Sequence, residues 1–184
     1  LGSVSSEIVR SATVPVLVVR HAPADAAKPT RMMIAYDAPN APRYERLLNS
    51  YSLRPGTVGL VLAVTEPYYM PGLPDWVLKR ARAADVEAMS AGWQQEFTQE
   101  RVALQTELTT FISRLPPAFH GHAPLIREGN PAEQILAAIA AEKIDLVIVG
   151  KTSKSGLDRL LLGSTSDKVL TNAPCSVLVV SGVN

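Results

Sequence analysis

The amino-acid sequence predicts a doubly wound α/β domain, a five-stranded and mostly parallel sheet with helices on both faces. Two observations carry that expectation, and a third bears on how the chain is organised. Short apolar runs without polar alternation recur at "RMMIAYD", "GTVGLVLAV", "DLVIVG" and "SVLVV", as in strands covered on both faces of a parallel sheet. Helical stretches lie between them, which implies right-handed crossovers and ligands beyond the C-terminal ends of the strands. Finally, the chain begins and ends alike. Laying Leu1 over Leu162 matches Leu1, Gly2, Ser3, Ser5, Ala12, Val16, Leu17, Val18 and Val19 to identical residues, a separation of domain size rather than of a solenoid unit. The opening is therefore expected to be the tail of a preceding domain.

Composition sets the outer limits. With 184 residues, 47% apolar and 19% charged, the chain suffices for one domain with a sizeable core plus extras. A net charge of +1 gives no electrostatic reason to propose nucleic acid or membrane as a partner. No apolar stretch approaches the roughly 20 residues that span a bilayer. The single Cys175 lies in the last apolar region and reads as a small buried hydrophobe in a reducing, cytoplasmic compartment.

In chain order, Ser3 to about Ala12 has helix character and "VPVLVV" is a strand, too short and β-branched for a helix. The Pro- and Ala-rich stretch after it is a linker, which sets the expected organisation: 1–20 the tail, 21–29 the linker, 30–184 the domain. The strand "RMMIAYD" from Arg31 to Asp37 is closed by "APNAP", whose prolines forbid continuation. A brief helix follows from about Arg43 to Tyr51, then a strand from Gly56 to Val64 and the Pro-rich loop "TEPYYMPGLP". From Pro74 onward Trp76, Ala83, Val86, Trp93, Phe97, Leu104, Leu108, Phe111 and Leu115 recur at helical steps, a core-facing stripe ended by Pro116 and Pro117. "HAPLIREG" makes a short strand. "NPAEQILAAIAAEK" is a helix capped by Asn130 with Pro131 at its first position. "DLVIVG" is the fourth strand, and "GSTSDKVLTNAPCSVLVV" supplies the last helix and the fifth.

Chemistry is then sought where strands end: at Asp37, at Val64 and Thr65, at Gly129 and at Gly150. Gly163, Ser164, Thr165 and Ser166 open the last helix, where free N–H groups, hydroxyls and the positive end of the macrodipole suit phosphate. Lys151 and Lys154 could add charge. The bland alternative, a simple N-cap beside a solvated loop, fits the spacing equally well. His120 and His122 could share a metal, but no acidic or Cys partner completes a set, and Tyr68 and Tyr69 read as loop packing. There is no complete P-loop, G-x-S-x-G elbow or Cys-His pairing to carry hydrolase or transferase chemistry.

The strand order, the Asp closing the first strand and the ending Gly-loop-"LLGSTS"-helix-"SVLVV" resemble the universal stress protein family from Thr30 to Asn184. Its nucleotide-binding members carry G-x2-G-x9-G-[ST]. Gly150, Gly163 and Ser164 match the first glycine, the third glycine and the hydroxyl, while Ser153 replaces the second glycine. The resemblance implies ATP, with Mg2+, as ligand: Asp37 near the ribose or a phosphate-bound metal, Val64 offering backbone groups to the adenine, Gly150 and Ser153 lining the phosphate loop, and Gly163, Ser164 and Thr165 holding phosphates. "APNAP" departs from the small-polar pattern usual after this Asp, and the prolines are expected to reshape the mouth of the site. Tandem members pair domains through their last strands, which implies Val14 to Val19 antiparallel beside Ser176 to Val180. Three functions follow: an adenine-nucleotide-binding regulatory protein of the stress response, an interaction or dimerisation module with a vestigial site, or at most a slow ATPase, for which no general base is evident.

Overall fold

The computed structural model describes residues 3–20, 29–65, 83–151 and 162–181, with side chains from Ser6 and from Thr98 in the first and third spans. Its helices α1 (Ser3–Ser11), α2 (Ala41–Asn49), α3 (Ala83–Ser113), α4 (Pro131–Ala141) and α5 (Ser164–Asn172) alternate with strands β1 (Val16–Val18), β2 (Arg31–Ala35), β3 (Val58–Thr65), β4 (Leu125–Glu128), β5 (Leu146–Gly150) and β6 (Ser176–Val180). The described strands form one sheet in the order β1-β6-β5-β2-β3-β4. The five from β2 to β6 run parallel, with Met33 opposite both Leu60 and Val147. A sixth, β1, lies antiparallel on the edge of β6, with Leu17 opposite Leu178.

Period-2 alternation along the central strands sends successive side chains to opposite faces, and each face has its own core. Met33, Leu62, Val147, Val149 and Val177 pack with Val9 of α1, Ile135 and Ile139 of α4, and Val169 and Leu170 of α5. Met32, Ile34, Val61 and Ile148 pack with Tyr44 and Leu48 of α2 and Leu108, Phe111 and Ile112 of α3. Leu108 and Phe111 of the expected stripe are thus core, whereas the side chains of Ala83, Val86, Trp93 and Phe97 and all of Trp76 lie outside the described residues. Among the described residues no helix is long and apolar enough to cross a membrane.

Local chemistry shifts several boundaries. The segment after Asp37 is a 3-10 turn over Ala38–Asn40 that feeds directly into α2, with a proline near the start of each. Pro has its φ preset for a first helical turn, so α2 starts two residues before the expected Arg43. Gly56, expected in a strand, has φ +80 in the turn ahead of β3. Gly59 does lie within β3, where a Cβ would come within 2.4 Å of the Phe119 ring. Asn130 caps α4 as expected, its side chain accepting from the Ala132 and Glu133 amides.

Candidate functional site

The sheet order reverses between β2 and β5. The helices that follow these adjacent strands, α2 and α5, pack on opposite faces of the sheet, and the crevice at such a reversal is where doubly wound folds take ligands. Asp37 follows β2 and Gly150 ends β5. A cavity of about 570 Å³ occupies the crevice, within the 300–1,000 Å³ typical of small-molecule sites. Ala35, Leu62, Val64, Ile135 and Val149 form its apolar part, and Gly163, Ser164, Thr165 and Ser166 its polar end. The structure therefore brings together six of the seven residues singled out from sequence: Asp37, Val64, Gly150, Gly163, Ser164 and Thr165. The seventh, Ser153, lies outside the described residues, as do Lys154, Tyr68 and Tyr69.

Asp37 is held by the segment that follows it. Its Oδ1 accepts the Asn40 amide at 2.9 Å, and its Oδ2 accepts Asn40 Nδ2 at 3.1 Å and the Tyr44 hydroxyl at 3.2 Å. Arg43 Nη1 in turn donates to Asn40 Oδ1 at 2.8 Å. Burial pushes the Asp37 carboxyl above its ordinary range, opposed by the hydrogen bonds from Asn40 and Tyr44 and by the Arg43 charge. Burial and the neighbouring Asp37 push the Tyr44 phenol well above its own. The prolines start the turn and the helix that cage the carboxylate.

Gly150 is the complement of this cage. An ideal Cβ there would lie 2.1 Å from Asn40 Nδ2 and 2.6 Å from Asp37 Oδ2, so the requirement is for space rather than for an unusual backbone angle. On the other side the Ser166 hydroxyl, buried in the first turn of α5, donates to the Gly150 carbonyl at 2.6 Å and ties that helix to the end of β5. Gly163 stands at the N-cap with φ −59 and ψ 148 and offers no side-chain cap, which leaves the first-turn N–H groups of α5 free of a side-chain partner from the cap position.

Lys151 is placed otherwise than its suggested phosphate role. It is nearly buried, at 9% exposure, and its ammonium donates to the carbonyls of Arg10 at 2.5 Å and Ala12 at 2.8 Å, at the C-terminal end of α1. Burial lowers its pKa. His120 sits with Nε2 2.9 Å from the Leu115 carbonyl. Among the described residues no three His, Cys, Asp or Glu side chains gather into a metal site.

Sequence reasoning missed the packing residues of the site. Ile135 lies one helical turn beyond Pro131 on the same face of α4, a signal available once that helix was oriented. Asn40 was visible only as part of a proline-rich loop, and its role depends on Gly150, distant in sequence.

A model of the universal stress protein family matches residues 58–181. A universal stress protein of Methanocaldococcus jannaschii is 49% identical over 53 residues, 29% of this chain and 31% of that protein. A universal stress protein of Methanothermobacter thermautotrophicus is 42% identical over 59 residues, 32% and 40% of the two. These matches span less than half the length of the curated relatives. Among solved structures, a universal stress protein from Archaeoglobus fulgidus superposes with TM-score 0.55 at 21% identity, covering 100% of this chain and 55% of that one. A functionally unknown protein from Pseudomonas aeruginosa gives 0.61 at 17%, covering 99% and 57%. These likenesses show the shared fold.

Proposed function

The chain belongs to the universal stress protein family, and on that premise we propose that it is a regulatory protein of the stress response that binds an adenine nucleotide, ATP with Mg2+, in the crevice between β2 and β5. The observation that carries this reading is the composition of the cavity. An apolar part lined by Leu62, Val64 and Ile135 shares the cavity with the open start of α5 at Gly163, Ser164 and Thr165 and with Asp37. A base needs the first, phosphates need the second, and the two lie in one volume. Asp37 carboxylate and Ser164 hydroxyl are hard oxygen donors of the kind magnesium takes, and the ion is proposed only as it arrives with the phosphates. Asp37 would orient the ribose or that ion, and Gly150 and Ser153 would form the loop beside the phosphates.

The test is isothermal titration of ATP and Mg2+ into the full chain beside Gly163→Val, with ADP release followed over hours. Binding in the native chain that is lost in the variant supports the reading. Silence in both favours the alternative, an interaction module of the same fold, for which Ser153 in place of the motif glycine speaks. Turnover above buffer would add slow ATPase activity.

For the partner, we propose that α1 and β1 stand where the last helix and strand of a neighbouring domain of the same family would pack. The repeat aligns Leu17 with Leu178, and these two residues pair with each other in the sheet, as in a self-complementary two-fold contact. Exposed Ile8, Val14, Leu17 and Val19 mark the face such a domain would cover.

A further inference from the structure

Lys151 follows directly on Gly150 and lies two residues from Val149, so it projects to the same face of the sheet as the Val149 wall of the cavity. Its ammonium is thus carried by the residue next to Gly150, which lines the cavity. It is engaged elsewhere. Its donors go to the Arg10 and Ala12 carbonyls, which are orphan acceptors at the C-terminal end of α1, where the negative end of the macrodipole holds a cation. The same helix also meets α5, whose start lines the cavity: Arg10 pairs with Asp167 in the first turn of α5 at 2.8 Å. Val9, 1% exposed, seats α1 in the core formed with that helix, and the Ser181 hydroxyl donates to the Val14 carbonyl just after it.

We propose that docking of α1 regulates the nucleotide site by withdrawing Lys151 from it, and that release of α1 returns the ammonium to the phosphates. The inference rests on the nucleotide reading above and adds its control. The two equilibria share one charged group, so they are coupled, and the coupling is reciprocal: polyphosphate in the cavity favours released α1, and docked α1 disfavours polyphosphate. The discriminating feature is charge. Adenosine monophosphate places little charge near Lys151 compared with ATP, so control acts on the polyphosphate and not on the base.

The experiment releases α1 in the full chain by Val9→Asp, which puts a charge into its buried seat, and checks the release by loss of hydrogen-exchange protection at the amides around Ala12. ATP with Mg2+ and AMP are then titrated into the native chain, V9D, and V9D combined with Lys151→Met. The expected result is ATP bound about fivefold more tightly by V9D, the scale of a single partly exposed charge contact. The gain should shrink with salt, be absent for AMP and be lost in the double variant. Val9→Ala, which shrinks the same buried seat without adding a charge, gives the same ordering on a smaller scale should V9D fail to fold. An unchanged ATP affinity on release, or a gain that survives Lys151→Met, overturns the latch and leaves the nucleotide reading standing. Absence of ATP and AMP binding in every variant overturns both.

Discussion

Gly150→Ala is the sharpest test of how the crevice is built. The new methyl would sit 2.1 Å from Asn40 Nδ2, 2.6 Å from Asn40 Cγ and 2.6 Å from Asp37 Oδ2. Ordinary contact is about 3.5 Å or more, so relief demands movement of roughly 1 to 1.5 Å. Asn40 has no room to yield: it is fully buried, bonds Asp37 through both its amide and its side chain, and accepts from Arg43. Overpacking of this kind costs about 1–3 kcal/mol, and swinging the Asn40 amide away forfeits a hydrogen bond to a carboxylate, about 1.5–3 kcal/mol. Relaxation by either route leaves about 1–3 kcal/mol, a fall in Tm of roughly 2–12 °C for a chain of this length. Thermal denaturation followed by circular dichroism reads it. Because the first atom struck belongs to Asn40, the Asn40→Ala/Gly150→Ala pair should be less destabilised than the sum of its single variants by about 1 kcal/mol. A Gly150→Ala chain that melts within a degree of native, or strict additivity with Asn40→Ala, refutes the steric argument.

Two further predictions concern the same walls. Ser166→Ala removes the 2.6 Å bond to the Gly150 carbonyl and should lower stability by about 1–2 kcal/mol, read as a Tm lower by roughly 2–8 °C; an unchanged melt would show that the hydroxyl does not tie α5 to β5. For Asp37, a carboxyl raised above its ordinary 3.8 by burial binds its proton more tightly in the folded state than in the unfolded chain. Its contribution to stability therefore falls as pH rises from 3.8 through the raised value and is constant above it. The Tm difference, native minus Asp37→Asn, should decline across that window, and a difference that climbs there contradicts the sign.

The strands were legible because burial on both faces removes polar alternation, which leaves "DLVIVG" and "SVLVV" unmistakable as runs. The start of α4 was legible because Asn130 and Pro131 act within one turn. What escaped was tertiary. The end of α1, far away in the chain, captures Lys151, and no local pattern announces it. Likewise, motif spacing marks Gly150 as a glycine but not why, since its reason is the position of Asn40. The start of α2 escaped for another cause: Pro39 and Pro42 were weighed as strand breakers, while the same fixed φ also starts helical turns.

That last point changes what the departure at "APNAP" means for the site. The 3-10 turn returns the Asn40 amide to Asp37, and the helix it launches places Tyr44 against the same carboxylate. A carboxylate has about four acceptor positions, and three hydrogen bonds already reach Asp37. Roughly one remains for a ligand. A group so nearly saturated fixes orientation more than it supplies affinity, and on the proposed nucleotide reading most of the attraction for a polyphosphate would fall to the start of α5 and to any cation released toward it. Loss of the Asp37 charge should accordingly weaken ATP less than a side chain at Gly163 does, an ordering opposite to that expected if the carboxylate were the principal contact.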